Sequence, residues 1–212
     1  MIKVKVCGMR EAENISALTK INPDFIGFIF YDKSPRYVGE MDENVLKAIP
    51  KSIKKVGVFV NANPDYIIKN VKKYDLQYVQ LHGHETPDFC RNLKTRGINI
   101  IKAFLIDDTF NFSSLNNYKP HTDYFLFDKR GAQIGGNGVT FDWNLLKKYD
   151  NEKPFFLSGG LSLENIEQVA ELSGLRIYGL DVNSNFEIEP ALKDIDKIAE
   201  LLEVVRPVEE EV

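Results

Sequence analysis

Cys7 in VKVCGMR, Asp128 at the end of YFLFD and Arg36 in SPRYV are the three positions where proton-transfer chemistry on an anionic substrate could be done. A thiolate is a base and a nucleophile, a carboxyl group donates or accepts a proton according to its surroundings, and a planar guanidinium suits a carboxylate through two parallel hydrogen bonds. Each has an ordinary alternative: Cys7 as a small buried hydrophobe, Asp128 as a loop carboxylate paired with Lys129 or Arg130, and Arg36 as a surface residue. A second group could hold an anion. Gly159 and Gly160 in SGGLS precede Ser162, a residue suited to cap a helix, and DVNSNFE supplies Asp181, Asn183, Ser184 and Asn185. Backbone N–H groups beside glycine, at a helix start, can face a phosphate with no Cβ in the way. His82 in QLHGHE lies in a further polar cluster, but its i, i+2 pairing with His84 is a weak zinc signal and His84 reads as a loop residue. Cys90 reads as a helix-face residue without reactive context, and Trp143 as core.

What turns scattered residues into a site is the scaffold. Eight short runs rich in Val, Ile, Phe and Tyr recur along the chain: IKVKV, DFIGFIF, KKVGVFV, QYVQL, INIIKAF, YFLFD, PFFLS and RIYGLDV. Several lack strict alternation, as parallel strands covered on both faces do. Between them run helical spacings, such as Ile67, Ile68 and Val71 behind Pro64, and Leu163, Ile166, Val169 and Ala170 behind Ser162. A last helix is predicted from about Pro190 to Val205. This alternation without a long linker predicts a closed eight-stranded α/β barrel ringed by helices, one domain over residues 1–205, with 206–212 as an acidic tail. An open doubly wound sheet would want G-x-G-x-x-G after the first strand, and VCGMRE lacks it. In such a barrel the chemistry sits just after each strand, where Cys7, Arg36, His82, Asp128, the two glycines and the NSN stretch all fall. Position therefore favours the reactive reading of Cys7.

Composition agrees with a metabolite-handling enzyme. The 212 residues are 43% hydrophobic and 27% charged, enough for a sizeable core, and the formal charge of −4 comes without a basic cluster interleaved with aromatics. Neither nucleic acid nor a membrane is an expected partner. MIKVKV alternates charge with valine instead of offering a signal-peptide core, so a cytoplasmic location is expected, with both cysteines as free thiols.

KVCGMR, GFIFYDKSPRYV, VGVFVN, VQLHGHE, GGNGVTFDW, FFLSGGLSLENI and GLDVNSNFE, in this order and over nearly the whole chain, resemble the phosphoribosylanthranilate isomerase family of tryptophan biosynthesis. The resemblance implies a (β/α)8 TIM barrel that isomerises N-(5-phosphoribosyl)anthranilate to 1-(2-carboxyphenylamino)-1-deoxyribulose 5-phosphate by an Amadori rearrangement, with a phosphosugar as ligand and no metal or organic cofactor. It implies Cys7 as general base, Asp128 as general acid, Arg36 as the holder of the anthranilate carboxylate, and SGGLS and DVNSNFE as phosphate loops, with a monomer or homodimer as the assembly. The family commonly has D-V-S-S-G-V-E at the last stretch, so Asn183 and Asn185 stand where serine and glycine are usual. To act as an acid, Asp128 must be protonated, which calls for burial or a neighbouring carboxylate. Two other readings are an indole-glycerol-phosphate synthase-like lyase, which would use a Lys and Glu pair such as Lys102 and Glu85, and a non-catalytic phosphosugar-binding barrel.

Overall fold

The structure, a computed structural model, describes residues 2–129 and 142–206. The GGNG stretch, Arg130 and the acidic tail beyond Arg206 lie outside the described residues. Strands β1 (Lys3–Val6), β2 (Phe25–Ile29), β3 (Lys54–Phe59), β4 (Tyr78–Leu81), β5 (Ile100–Ile106), β6 (Tyr124–Lys129), β7 (Phe155–Leu157) and β8 (Ile177–Val182) close into one parallel barrel in chain order. The closing pair, β1 with β8, sets Lys5 opposite Asp181. All eight runs read from the sequence are strands.

Helices α1 (Ala12–Lys20), α2 (Glu43–Lys47), α3 (Pro64–Tyr74) and α4 (Pro87–Thr95) follow the first four strands. Local chemistry starts them: the Asn63 side chain accepts from the Asp65 N–H ahead of α3, and Thr86 accepts from Phe89 N–H ahead of α4, each with proline in the first turn. After β5, β6 and β7 the described connections carry 3-10 turns instead, among them Phe112–Asn117, Trp143–Lys148 and Ile166–Leu172.

Two local expectations are overturned here. The helix after β7 begins at Ile166, and Ser162 does not cap it; instead the Ser162 N–H donates to Asn165 Oδ1 at 2.9 Å and Asn165 Nδ2 donates back to Gly160 O at 2.8 Å. Pro190 does not open the last helix. It sits in the turn of an antiparallel hairpin, β9 (Glu187–Glu189) and β10 (Leu192–Lys193), and α5 (Ile195–Val205) starts behind Asp194, whose side chain accepts from Lys197 N–H. Among the described residues no helix is long and apolar enough to cross a membrane.

Apolar side chains form two compartments. Val4, Val6, Leu81, Phe125, Phe127 and Leu157 point outward under the helices. Phe25, Val56, Ile101, Ala103, Leu126 and Phe156 point inward, packed against Tyr78, Tyr124 and Tyr178. The Tyr124 and Tyr178 rings stack at 4.2 Å, and Phe25 meets Phe156 edge-on at 5.3 Å. This aromatic plug fills the end of the barrel where the strands begin, so open space remains only where they finish.

Candidate active site

At that open end lies a cavity of about 310 Å3. Its walls include Cys7 from β1, Gln80 and His82 from β4, Asp128 from β6, Ser158, Gly159, Gly160 and Leu161 after β7, and Asp181, Asn183, Ser184 and Asn185 from β8 and its loop. Every candidate residue is thus brought to one place except Arg36, which is not among the wall residues.

Strand periodicity explains the thiol's position. Val4 and Val6 face the helices, so Lys5 and Cys7 lie on the barrel side. Lys5 is fully buried and its Nζ donates to Asp181 Oδ1 at 2.7 Å, its register partner on β8. Gly27 lets these groups pack, for a Cβ there would stand 2.9 Å from Cys7 Sγ and 3.2 Å from Lys5 Nζ. Burial pushes the Cys7 thiol up from its ordinary value, Lys5 and Lys193 pull it down, and Asp181 pushes it up, with a net upward shift. Burial also raises the Asp181 carboxyl, against the pull of Lys5 and with a push from Asp128. Lys5 is held up by Asp181 and Cys7 in spite of a burial penalty that works the other way.

Across the cavity, Asp128 Oδ1 accepts from Lys129 N–H at 2.8 Å and Oδ2 lies 3.5 Å from His82 Nε2. Gln80 Nε2 stands 2.8 Å from His82 Nδ1. An amide N–H given to Nδ1 leaves the ring proton on Nε2, facing the carboxylate. The Gln80 Oε1 atom is buried with no hydrogen-bond partner among the described residues.

Gly159 and Gly160 both take φ +86°, a conformation that a side chain would strain, and a Cβ on Gly159 would lie 2.6 Å from Lys129 N. Their N–H groups have no partner among the described residues. The β8 loop turns through a short 3-10 segment, Ser184–Phe186, and Asn185 Nδ2 donates to Leu161 O at 3.0 Å. Asn185 thus ties one loop to the other. Asn183 Oδ1, in turn, accepts from Lys193 Nζ at 2.8 Å.

Arg36 stands in a turn closed by Tyr37 N–H donating to Ser34 O. Its guanidinium is gripped by Glu187: Nε lies 2.9 and 3.0 Å from the two carboxylate oxygens and Nη2 donates to Oε2 at 2.7 Å. Lys102 and Glu85, the pair that a lyase would use, are both buried and 3.2 Å apart. Lys102 faces away from the cavity and donates to the carbonyls of Leu81, Gly83 and Ala103 at 3.1, 2.8 and 2.9 Å. Glu85 is likewise occupied, by Asn61 N–H at 2.8 Å and Gly83 N–H at 3.0 Å. This pair braces the loop after β4 and is not among the walls of the cavity that holds Cys7 and Asp128. Cys90 is buried, with its thiol pushed up to about 11.

Sequence reasoning passed over Lys5, Gln80, Ser158, Glu187 and Lys193. The first three carry a legible signal, since Lys5 shares the inward side with Cys7, Gln80 with His82, and Ser158 closes β7 ahead of the glycines. Glu187 and Lys193 had no such signal without the hairpin.

Comparisons with known proteins agree with this geometry. The family described as N-(5'-phosphoribosyl)anthranilate (PRA) isomerase matches residues 4–204. The N-(5'-phosphoribosyl)anthranilate isomerase of Parabacteroides distasonis is 44% identical over 204 residues, covering 95% of this chain and 92% of the relative. Among solved structures, monomers of the dimeric enzyme of Thermotoga maritima superpose with a TM-score of 0.81 at 30% identity, covering 98% of this chain and 100% of that one. A phosphoribosylanthranilate isomerase in complex with reduced 1-(o-carboxyphenylamino)-1-deoxyribulose 5-phosphate gives 0.79 at 31% identity, over 96% and 97% of the two chains. With a thiol and a carboxylate lining one cavity beside the two glycines after β7 and the Asn183–Asn185 loop after β8, and with matches that run almost end to end, the chain belongs to the N-(5'-phosphoribosyl)anthranilate isomerase family.

Proposed function

We propose that the chain converts N-(5-phosphoribosyl)anthranilate to 1-(2-carboxyphenylamino)-1-deoxyribulose 5-phosphate with Cys7 as base and Asp128 as acid. The observation that carries the assignment of roles is that these two side chains line the same cavity from strands three places apart around the ring. The phosphate is held by the N–H groups of Gly159 and Gly160 and by the loop of Asn183, Ser184 and Asn185, which places the sugar between the two groups. Asp128 gives its proton to the ring oxygen, the bond from that oxygen to C1 breaks, and the nitrogen lone pair forms the C1 iminium. Cys7, as thiolate, takes the proton from C2, and the electron pair of that C–H bond closes onto C1 to give the enolamine, which tautomerises to the ketose. A thiolate whose conjugate acid is raised is a stronger base than an ordinary one, at the cost of being a smaller fraction of the enzyme at neutral pH. Lys5 and Lys193 lessen that cost. His82 orients Asp128, and Asp181 balances the charge of Lys5.

Following the loss of substrate fluorescence with purified protein tests the assignment. Turnover that is abolished in both Cys7→Ala and Asp128→Ala supports it, and a wild-type chain that binds the phosphosugar without consuming it would favour a binding barrel instead. Light scattering decides between a monomer and a homodimer, the latter being the form of the Thermotoga maritima relative.

A further inference from the structure

Glu187 is almost wholly buried, with 4% of its side chain exposed, and its two oxygens are fully occupied. They accept from Arg36 Nε and Nη2, from the Ala191 N–H at 3.1 Å, and from Lys193 Nζ. Lys193 is equally enclosed, and its backbone is fixed on α1 by two hydrogen bonds with the side chain of Asn14, at 2.8 and 2.9 Å. The same ammonium donates to Asn183 in the β8 loop. A guanidinium has a side edge, made of Nε–H and one Nη, and an end made of its two Nη groups. Glu187 takes the side edge of Arg36, and Nη1 has no partner among the described residues. The stem of Arg36 crosses Gly8, where a Cβ would stand 2.8 Å from Arg36 Cδ and 2.9 Å from Asn183 Oδ1.

We infer that Glu187, anchored by Lys193, is a positioning residue that fixes Arg36 by its side edge so that only the Nη1 and Nη2 end is presented to the substrate's ring carboxylate. The inference rests on the reading of Arg36 as the carboxylate-binding group. A carboxylate held end-on meets both Nη groups in one plane, so the edge taken by Glu187 sets the angle at which the aromatic acid lies. Lys193 also donates to Asn183 in the β8 loop, a bond that does not run through Glu187 and is left in place when Glu187 is changed.

The test compares two inhibitors, the reduced product analogue with its ring carboxylate and the same compound lacking it, binding to wild type, Arg36→Ala and Glu187→Gln. Wild type is expected to prefer the carboxylated analogue by about a hundredfold, the scale of a charge-assisted bidentate pair. Glu187→Gln should lose about tenfold of that preference while its affinity for the decarboxylated analogue stays within about twofold. Affinity for both analogues falling in equal proportion, or the preference surviving intact, would overturn the positioning role. If wild type itself shows no preference, or if Arg36→Ala keeps it, the reading of Arg36 fails and the inference falls with it. Glu187→Asp provides a second variant that keeps the buried charge. Withdrawn by one methylene, it cannot meet Nε and Nη2 together, so it should show the same selective loss; a normal preference in a folded Glu187→Asp protein also counts against the role.

Discussion

Besides the Lys193 and Glu187 pair, the described residues bury two more lysine and carboxylate pairs, and the chemistry of these two on paper is the same. Lys5 and Asp181 meet at 2.7 Å with exposures of 0% and 6%, Lys102 and Glu85 at 3.2 Å with 2% and 1%. They differ in the side of the strand wall on which they lie. Lys5 points inward, with Cys7 as a neighbour and Asp181 on the cavity wall, and it remains held above its ordinary value although burial works the other way. Lys102 points outward beneath the helices and spends its donors on backbone carbonyls, and burial leaves it below its ordinary value. Two buried ion pairs thus take different places, one setting charge beside the cavity-lining thiol of Cys7 and the other holding a loop. Burial and pairing alone do not mark an active site; the side of the strand and the nature of the remaining partners do.

The contrast can be broken most directly at Lys102. Lys102→Met leaves Glu85 as an unpaired buried charge and should cost about 3–5 kcal/mol in urea unfolding. The folded fraction should keep the wild-type pH profile of turnover. A variant of full stability but without activity would place Lys102 in the chemistry and revive the lyase reading. Next in size, Cys7→Ser and Asp128→Asn should each lower kcat by about a hundredfold or more with the fold intact. A Cys7→Ser enzyme that turns over nearly as fast as wild type would reduce the thiol to packing.

Lys5→Met sharpens the comparison. The pull of Lys5 on the Cys7 thiol is greater than the push of Asp181, so removing it moves the thiol further up even where Asp181 becomes neutral. Thiolate forms as pH rises, so the acidic limb of kcat/KM should shift upward by about one pH unit, with about a tenfold loss at pH 7. An unmoved limb would detach Lys5 from the chemistry. The smallest effect concerns Glu187. Burial would raise its carboxyl, but the hydrogen bonds from Arg36 and Lys193 outweigh that and hold it below the ordinary range. A depressed carboxyl contributes stability above its unfolded value, about 4.3, that is lost as pH falls through the folded one. Wild type should therefore exceed Glu187→Gln by about 1 kcal/mol at pH 7, and thermal scans should show the gap closing below about pH 4. A gap that persists in acid would mean that the ionised carboxylate is not what stabilises this cluster.

The barrel was legible because each strand carries its own signal of β-branched and aromatic residues bounded by turns, and strand order follows from alternation with helices. The site's outline was legible for a related reason, since inward positions at strand ends can be counted from the sequence. Glu187 and Lys193 were not readable in this way. Pro190 suits a helix start as well as a hairpin turn, and lysine is ordinarily a surface residue, so nothing local marks Lys193 as buried. Ser162 failed as a cap because the 3-10 segment begins only at Ile166 and the serine side chain is bonded instead to Glu164. Arg36 was found but not its occupant, because Glu187 lies 151 positions away in the chain. Long-range partners of charged groups are the part of a site that periodicity cannot supply.

The aromatic plug has a consequence for traffic. With Phe25, Val56, Ile101, Leu126 and Phe156 sealing the interior, and three tyrosines beneath them, the barrel formed by the described residues is a vessel closed at its floor. On the proposed reading, substrate enters and product departs by the same mouth, so the grip on the phosphate that secures arrival also governs how long the product stays. Protons obey the same geography: on the proposed mechanism, the one that Cys7 lifts from C2 has no route through the apolar floor and reaches bulk water past the bound sugar. That mechanism therefore predicts slow exchange of the C2 proton with solvent while the sugar is in place, with turnover as a sequence of single occupancies through a shared door.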